Sequence, residues 1–292
     1  GHGHSTIDCE ATSFGDFPKR GFIFANGETR ETVLRGVRIV RCRSAAYGPP
    51  RLPTFVSYGD SKWDAGKGGG VHIGRTLGLL IQNVEIHDCK GHHEGGGIYV
   101  SSGGNATFQN LSIAHSFGVY GGGLTMASKS NIRWYGGVVS HCESDWIGGA
   151  AVRARFESLL VLQNVDIQFN KVRDQTYGNP DEYLRGVVLI GSDGTGNGIY
   201  EISNCRFIGN VAPAGTNGTD LSIHPDFTGT VKIIDTNFTS SVFDPNVRIQ
   251  TCKASNACTV GNHMGTCANA DVGVSCYGCG LDNNQYECHA GL

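Results

Sequence analysis

Residues 95–126 read GGGIYVSSGGNATFQNLSIAHSFGVYGGGLTM. The stretch opens with Gly95-Gly96-Gly97 and closes with Gly121-Gly122-Gly123, and a third triplet, Gly68-Gly69-Gly70, lies 27 residues upstream of the first. Between the triplets apolar and polar residues alternate, the period of strands with an inner and an outer face. Working outward, GVRIVRC, NVEIHDC, NLSIAHS, GGVVSHC, NVDIQFN, NCRFIGN and DTNFTSS close at Cys42, Cys89, Ser116, Cys142, Asn170, Asn210 and Ser241. Each follows a short alternating strand (TVLR, LLIQ, ATFQ, NIRWY, LLVLQ, IYEIS, TVKIID), and each of those follows a further strand, usually led by glycine. Strands that recur at a fixed spacing without a helix between them stack on their own copies. Three strands per turn wound as a coil make a parallel β-helix, all-β, of about seven turns over residues 1–245. The triplets then mark one corner per turn, where the backbone needs angles closed to a residue with a Cβ and where coils pack backbone on backbone.

The residue opening the third strand is Asn83, Asn110, Asn164 or Asn204, with Gly36, Gly136 or Gly137, and Asp235 in other turns. Stacked asparagines hydrogen-bond along a coil, and this row resembles the asparagine ladder of the pectate-lyase-type right-handed β-helix. It is expected to face inward, leaving the Asn110 sequon bare. STIDC, RGFIFANGE and TVLRGVRI are similar to the opening of pectin-lyase-like surface repeat proteins. Gly95–Tyr99 and Phe207–Asn210 resemble the repeats of polymorphic outer-membrane proteins. These resemblances imply a fold and no particular activity.

Cysteines fall in two regimes. Cys9, Cys42, Cys89, Cys142 and Cys205 are dispersed, and Cys252, Cys258, Cys267, Cys276, Cys279 and Cys288 crowd into the tail. Six in so short a stretch suggest three disulfides and an oxidising compartment. Cys42 and Cys89 fall on adjacent coils within disulfide reach; buried free thiols are the alternative. The tail, 246–292, resembles an EGF-like module, which implies Cys252–Cys267, Cys258–Cys276 and Cys279–Cys288. It departs from that family at Cys276-Tyr-Gly-Cys279, where two residues intervene. A metal reading of Cys276 and Cys279 with His263 or His289 ranks below disulfides. No calcium-ligand pattern precedes Cys252.

Two inserts, 43–67 and 171–185, leave the same corner and should project from one flank. Tyr47, Phe55, Tyr58 and Trp63 in the first are candidates to stack on sugar rings or anchor a partner, or else they cover the coil's own flank. The coil opens without a closing element, so the expectation is either further coils upstream or something stacked on that end, which would make the chain a filament subunit. His92-His93-Glu94, with Asp88 nearby, is the densest polar cluster, able to bind metal or move protons, or simply forming a polar corner.

The expected outward row of the first strand is Ile23, His72, Tyr99, Thr125, Ala151, Val188 and Ser222, which contains no carboxylate. That of the third is Arg38, Glu85, Ser112, Val138, Asp166, Arg206 and Asn237, whose two acids lie roughly 14 Å apart by the coil rise. That is too far to share one glycosidic bond. No GxSxG, HExxH or P-loop occurs. The formal net charge of −3 excludes a basic nucleic-acid surface, and no apolar run is long enough to span a membrane.

These observations point to a non-catalytic extracellular or cell-surface glycoprotein, structural or adhesive. No catalytic residue, metal or cofactor is expected. The expected glycan acceptors are Asn105, Asn217 and Asn237, and the expected partners are further copies of itself or other extracellular proteins. The rival is a polysaccharide-active enzyme or a carbohydrate-binding module on the same scaffold.

Overall fold

The computed structural model describes residues 5–11, 19–44, 66–145, 148–173, 186–192, 197–213, 218–224 and 227–240. Beyond these it describes the backbone of the strands Val242–Asp244, Thr251–Cys252, Thr259–Val260, Cys276–Asp282 and Gln285–Ala290. Among the described residues every regular element is a strand, and the long sheets are parallel throughout. This is the arrangement of a parallel β-helix. No helix among them is long and apolar enough to cross a membrane.

The first-strand sheet runs Phe22–Phe24, Val71–Ile73, Ile98–Val100, Leu124–Met126, Val152–Arg155, Val188–Ser192, Leu221–Ile223 and Val242–Asp244, each beside the next. Thr259–Val260, from the cysteine-rich tail, pairs parallel with Val242–Asp244 and extends this sheet past residue 245. The remaining tail strands form an antiparallel sheet that sets Cys276 opposite Cys252 in register. The expected tail disulfides fall on side chains outside the described residues.

The expected second and third strands are mostly one strand with a bend, as in Asn105–Ala114 and Leu159–Gln168. The bend is the asparagine row: φ is 51° at Asn83, 50° at Asn110, 57° at Asn164 and 50° at Asn204, the left-handed region. Such a residue breaks the alternation. Phe108 and Leu111 both point inward, while Gln109 and Asn110 between them point out. All four asparagines are therefore exposed, contrary to the expectation of an inner ladder. Asn110 Nδ2 still donates to Asn83 Oδ1 at 3.2 Å, but along the outside of the coil. Burial thus gives no reason for Asn110 to stay bare.

The inner ladder lies at the end of the third strand. Asn170 Nδ2 donates to Asn210 Oδ1 at 3.2 Å and to the Val139 carbonyl at 3.0 Å, and its Oδ1 accepts from the Cys142 amide at 3.0 Å. Asn210 Nδ2 donates to Asp220 Oδ1 at 3.0 Å, and Asp220 Oδ2 accepts from the Ser240 amide at 2.7 Å. Buried amides placed so give the polar backbone of the corner its partners where water is absent.

The interior is filled by in-register rows. Ile39, Ile86, Ile113, Val139, Ile167 and Phe207 form one, and Leu34, Ile81, Phe108, Trp134, Leu162, Ile202 and Ile233 another. Each fully buried aliphatic or aromatic side chain contributes about 1.5–3 kcal/mol relative to exposure.

Each triplet uses its glycines differently. Gly68, Gly95 and Gly121 have φ of 66°, 64° and 97°, so the first position turns the corner. At the second, a Cβ on Gly96 would lie 2.2 Å from the Phe117 carbonyl oxygen and 2.6 Å from that of Gly122. A fourth sheet, unforeseen in the sequence, covers this corner: Lys90–Glu94, Phe117–Tyr120, Glu143–Ser144 and Lys171–Val172.

The sulfur pairing differs from expectation. Cys42 is bonded to Cys9 rather than Cys89. Cys42 has a sulfur neighbour in each adjacent coil and can bond only one. Cys9 reaches it across the left-handed residues Glu10 and Arg41. Cys89, Cys142 and Cys205 are buried free thiols, and burial pushes them up to about 12, 12 and 11.

Candidate functional site

The third-strand row stands in the expected register: Arg38, Glu85, Ser112, Val138, Asp166, Arg206 and Asn237 follow one another across the coils. Both its acids are engaged. Arg38 Nε lies 3.5 Å from Glu85, and Arg206 Nε donates to Asp166 at 2.7 Å.

The first-strand row differs in two places. It runs Ile23, His72, Tyr99, Thr125, Arg153, Leu189 and Ser222, with Arg153 and Leu189 in place of the expected Ala151 and Val188. The reason is the corner. Gly149 has φ of 71° and takes the place of Gly121, so Gly149-Ala150-Ala151 is the counterpart of the glycine triplet and the strand starts at Val152. The row is therefore displaced by two residues at this coil, from Ala151 to Arg153, and by one at the next, from Val188 to Leu189.

That arginine changes the chemistry of the His92-His93-Glu94 cluster. Glu94 closes the strand Lys90–Glu94 and is only 1% exposed. Lys67, its neighbour in the adjacent coil, places Nζ 3.5 Å from Oε2. Arg153 Nη1 lies 3.6 Å from Oε1, and Arg155 Nη2 is bound closely to the same oxygen. One carboxylate thus gathers three cations from two other coils, Lys67 from one and Arg153 and Arg155 from a single strand of the other. Around it, Lys67 Nζ donates to Tyr99 Oη at 3.0 Å, and Arg153 lies over the Tyr120 ring and donates from Nε to Ser192 Oγ at 3.1 Å.

The histidines flank this core. His93 Nδ1 is 3.7 Å from Glu94, and its ring meets Tyr120 edge-on. Burial lowers its affinity for a proton, outweighing the attraction of Glu94. His72 Nε2 and Ser101 Oγ are 3.0 Å apart. Burial, reinforced by the charges of Arg20 and Lys67, depresses its pKa to about 3. The backbone amide of His92 donates to Ser44 Oγ, and Asp88 stands exposed at its own left-handed corner. Among the described residues no group of three or more His, Cys, Asp or Glu side chains could hold a metal ion.

Of the expected glycan acceptors, Asn105 is half-buried at the start of its strand and Asn237 is exposed. Asn217 lies outside the described residues, as do Tyr47, Phe55, Tyr58 and Trp63. Sequence reasoning also missed a row of exposed rings: His115 and His141 stack with centroids 4.8 Å apart, and His141 and Phe169 are 5.3 Å apart. All three have φ between 51° and 55°. The closing HS, HC and FN of successive repeats carried the signal, because each ring precedes the inward residue.

The chain matches no protein-family model, no curated protein and no solved structure. The pectin-lyase-like and EGF-like resemblances therefore rest on the residues quoted for them.

Proposed function

We propose that the protein is a non-catalytic extracellular scaffold, structural or adhesive, with a right-handed β-helix of about seven turns followed by an EGF-like module. One observation carries the reading: past the exposed Ile23 at its start, the outward row of the first strand is shut from water. His72, Tyr99, Thr125, Arg153, Leu189 and Ser222 are each 2% exposed or less. A catalytic acid or base must come within hydrogen-bond reach of its substrate. Glu94 is instead dry and held by three cations, which suits a carboxylate that locks neighbouring coils in place. The Cys9–Cys42 bond fits an oxidising compartment. Exposed Asn237 supports a glycan there.

Incubation with neutral and acidic polysaccharides tests this. No new reducing ends and no unsaturated product should appear. Cleavage that disappears in Glu94→Gln or Arg153→Met, with the fold intact, would overturn the reading. Coils that pair with copies of themselves also pair with another molecule's, so electron microscopy over a range of concentrations tests end-to-end association.

A further inference from the structure

On the opposite corner, between the first and second strands, an open groove of about 630 Å³ crosses successive coils. Three in-register rows build it. Lys129, Glu157, Asn197 and Thr228 form one wall, and Asn131, Leu159, Ile199 and Thr230 the other. Between them the floor runs Ser130, Ser158, Gly198 and Gly229, so small residues sink the middle row. Both walls are accessible, and Ile199 is 56% exposed.

We infer that this groove binds a neutral glycan chain laid along the coil axis. This deepens the adhesive reading above and rests on it. Three features select the ligand. First, the walls offer amides, hydroxyls and one ion pair that cancels, Lys129 Nζ to Glu157 at 3.5 Å, beside the aliphatic faces of Leu159 and Ile199. A polyhydroxylated ring with an apolar face matches that mixture, and a charged polymer does not. Second, the floor carbonyls are taken. Ser130, Ser158 and Gly198 accept from the amides of Leu159, Ile199 and Thr230, so an extended peptide could not add as a strand there. Third, equivalent positions recur at the coil spacing of about 4.8 Å, close to the length of one pyranose in an extended chain.

The test is a glycan array probed with the intact chain, disulfides formed, beside Asn197→Ala/Thr228→Ala and Ile199→Lys. Both variants alter only exposed positions, and thermal unfolding checks that they fold. Neutral glycans should be retained by the wild type and weakened about ten-fold or more by each variant, through lost hydrogen bonds in the first and a charge in place of the apolar face in the second. Undiminished binding by the variants, a preference for acidic glycans, or no retention of neutral ones would each overturn the groove assignment. Shortening of the bound glycan would sink the non-catalytic reading and leave the groove standing.

Discussion

Arg153 Nη1 lies 3.6 Å from Glu94 Oε1, with both side chains 2% exposed or less. Removing a single partner from such a pair leaves the other charge dry and uncompensated, at a cost of about 3–5 kcal/mol. Glu94→Gln should do more than break one pair, because Lys67, Arg153 and Arg155 then repel one another. The expected loss is at the upper end of that range, read from urea unfolding at neutral pH. A loss below about 1 kcal/mol would show that the cluster is not what holds this corner.

The buried His72 makes stability pH-dependent. Its folded pKa, about 3, lies below the ordinary 6.5. Between these values the unfolded chain holds a proton that the native state refuses. The contribution is complete above pH 6.5 and is lost as pH falls toward 3. His72→Gln keeps a polar partner for Ser101 and removes the titration. The gap between wild-type and variant stability should narrow steadily from pH 7 to pH 4, and a constant gap would contradict the assignment. Asp220 acts in the opposite sense: burial raises its pKa, so its contribution is lost as pH rises through the carboxylate range.

Two glycines separate close packing from backbone angle. Gly27 has φ of 77° and nothing within 4 Å of a built Cβ, so Gly27→Ala should cost about 1–2 kcal/mol. Gly96→Ala meets the Phe117 carbonyl oxygen at 2.2 Å. Overpacking against backbone costs about 3 kcal/mol or more. Thermal midpoints of the two variants should differ clearly in that order.

The thiols give a chemical test. Cys89 and Cys142 are 0% exposed and Cys205 1%, so an alkylating reagent should leave all three unlabelled in the native protein and reach them on unfolding. Cys9→Ser should lower stability by about 3–4 kcal/mol, as expected for a loop of 33 residues. Native labelling of Cys89, mapped by peptide mass spectrometry, would contradict this burial.

Much of the fold was legible because strand period and repeat length agree. The row from Arg38 to Asn237 needed only alternation and the recurring bend. The first-strand row needed the identity of the corner residue as well. Gly149-Ala150-Ala151 looks unlike a glycine triplet, yet only its first position requires a left-handed angle. The direction of Asn83 and Asn110 was hidden for a related reason: one left-handed residue reverses inside and outside, which a count of alternating residues does not register. The partner of Cys42 could not be read from spacing, because a coil gives every residue two equivalent neighbours. The meeting of Glu94 with Arg155, 61 residues apart, followed from neither rule alone.

The row of Ile39, Ile86, Ile113, Val139, Ile167 and Phe207 sets a grammar for change in this chain. One residue lost inside a strand turns that winding inside out. A complete winding removed at equivalent glycines, such as 95–120, brings like residues together and closes the seam. The molecule can therefore grow or shorten in whole windings of about 4.8 Å without redesign of its interior. Reach becomes a heritable dimension, adjustable separately from what the surface displays.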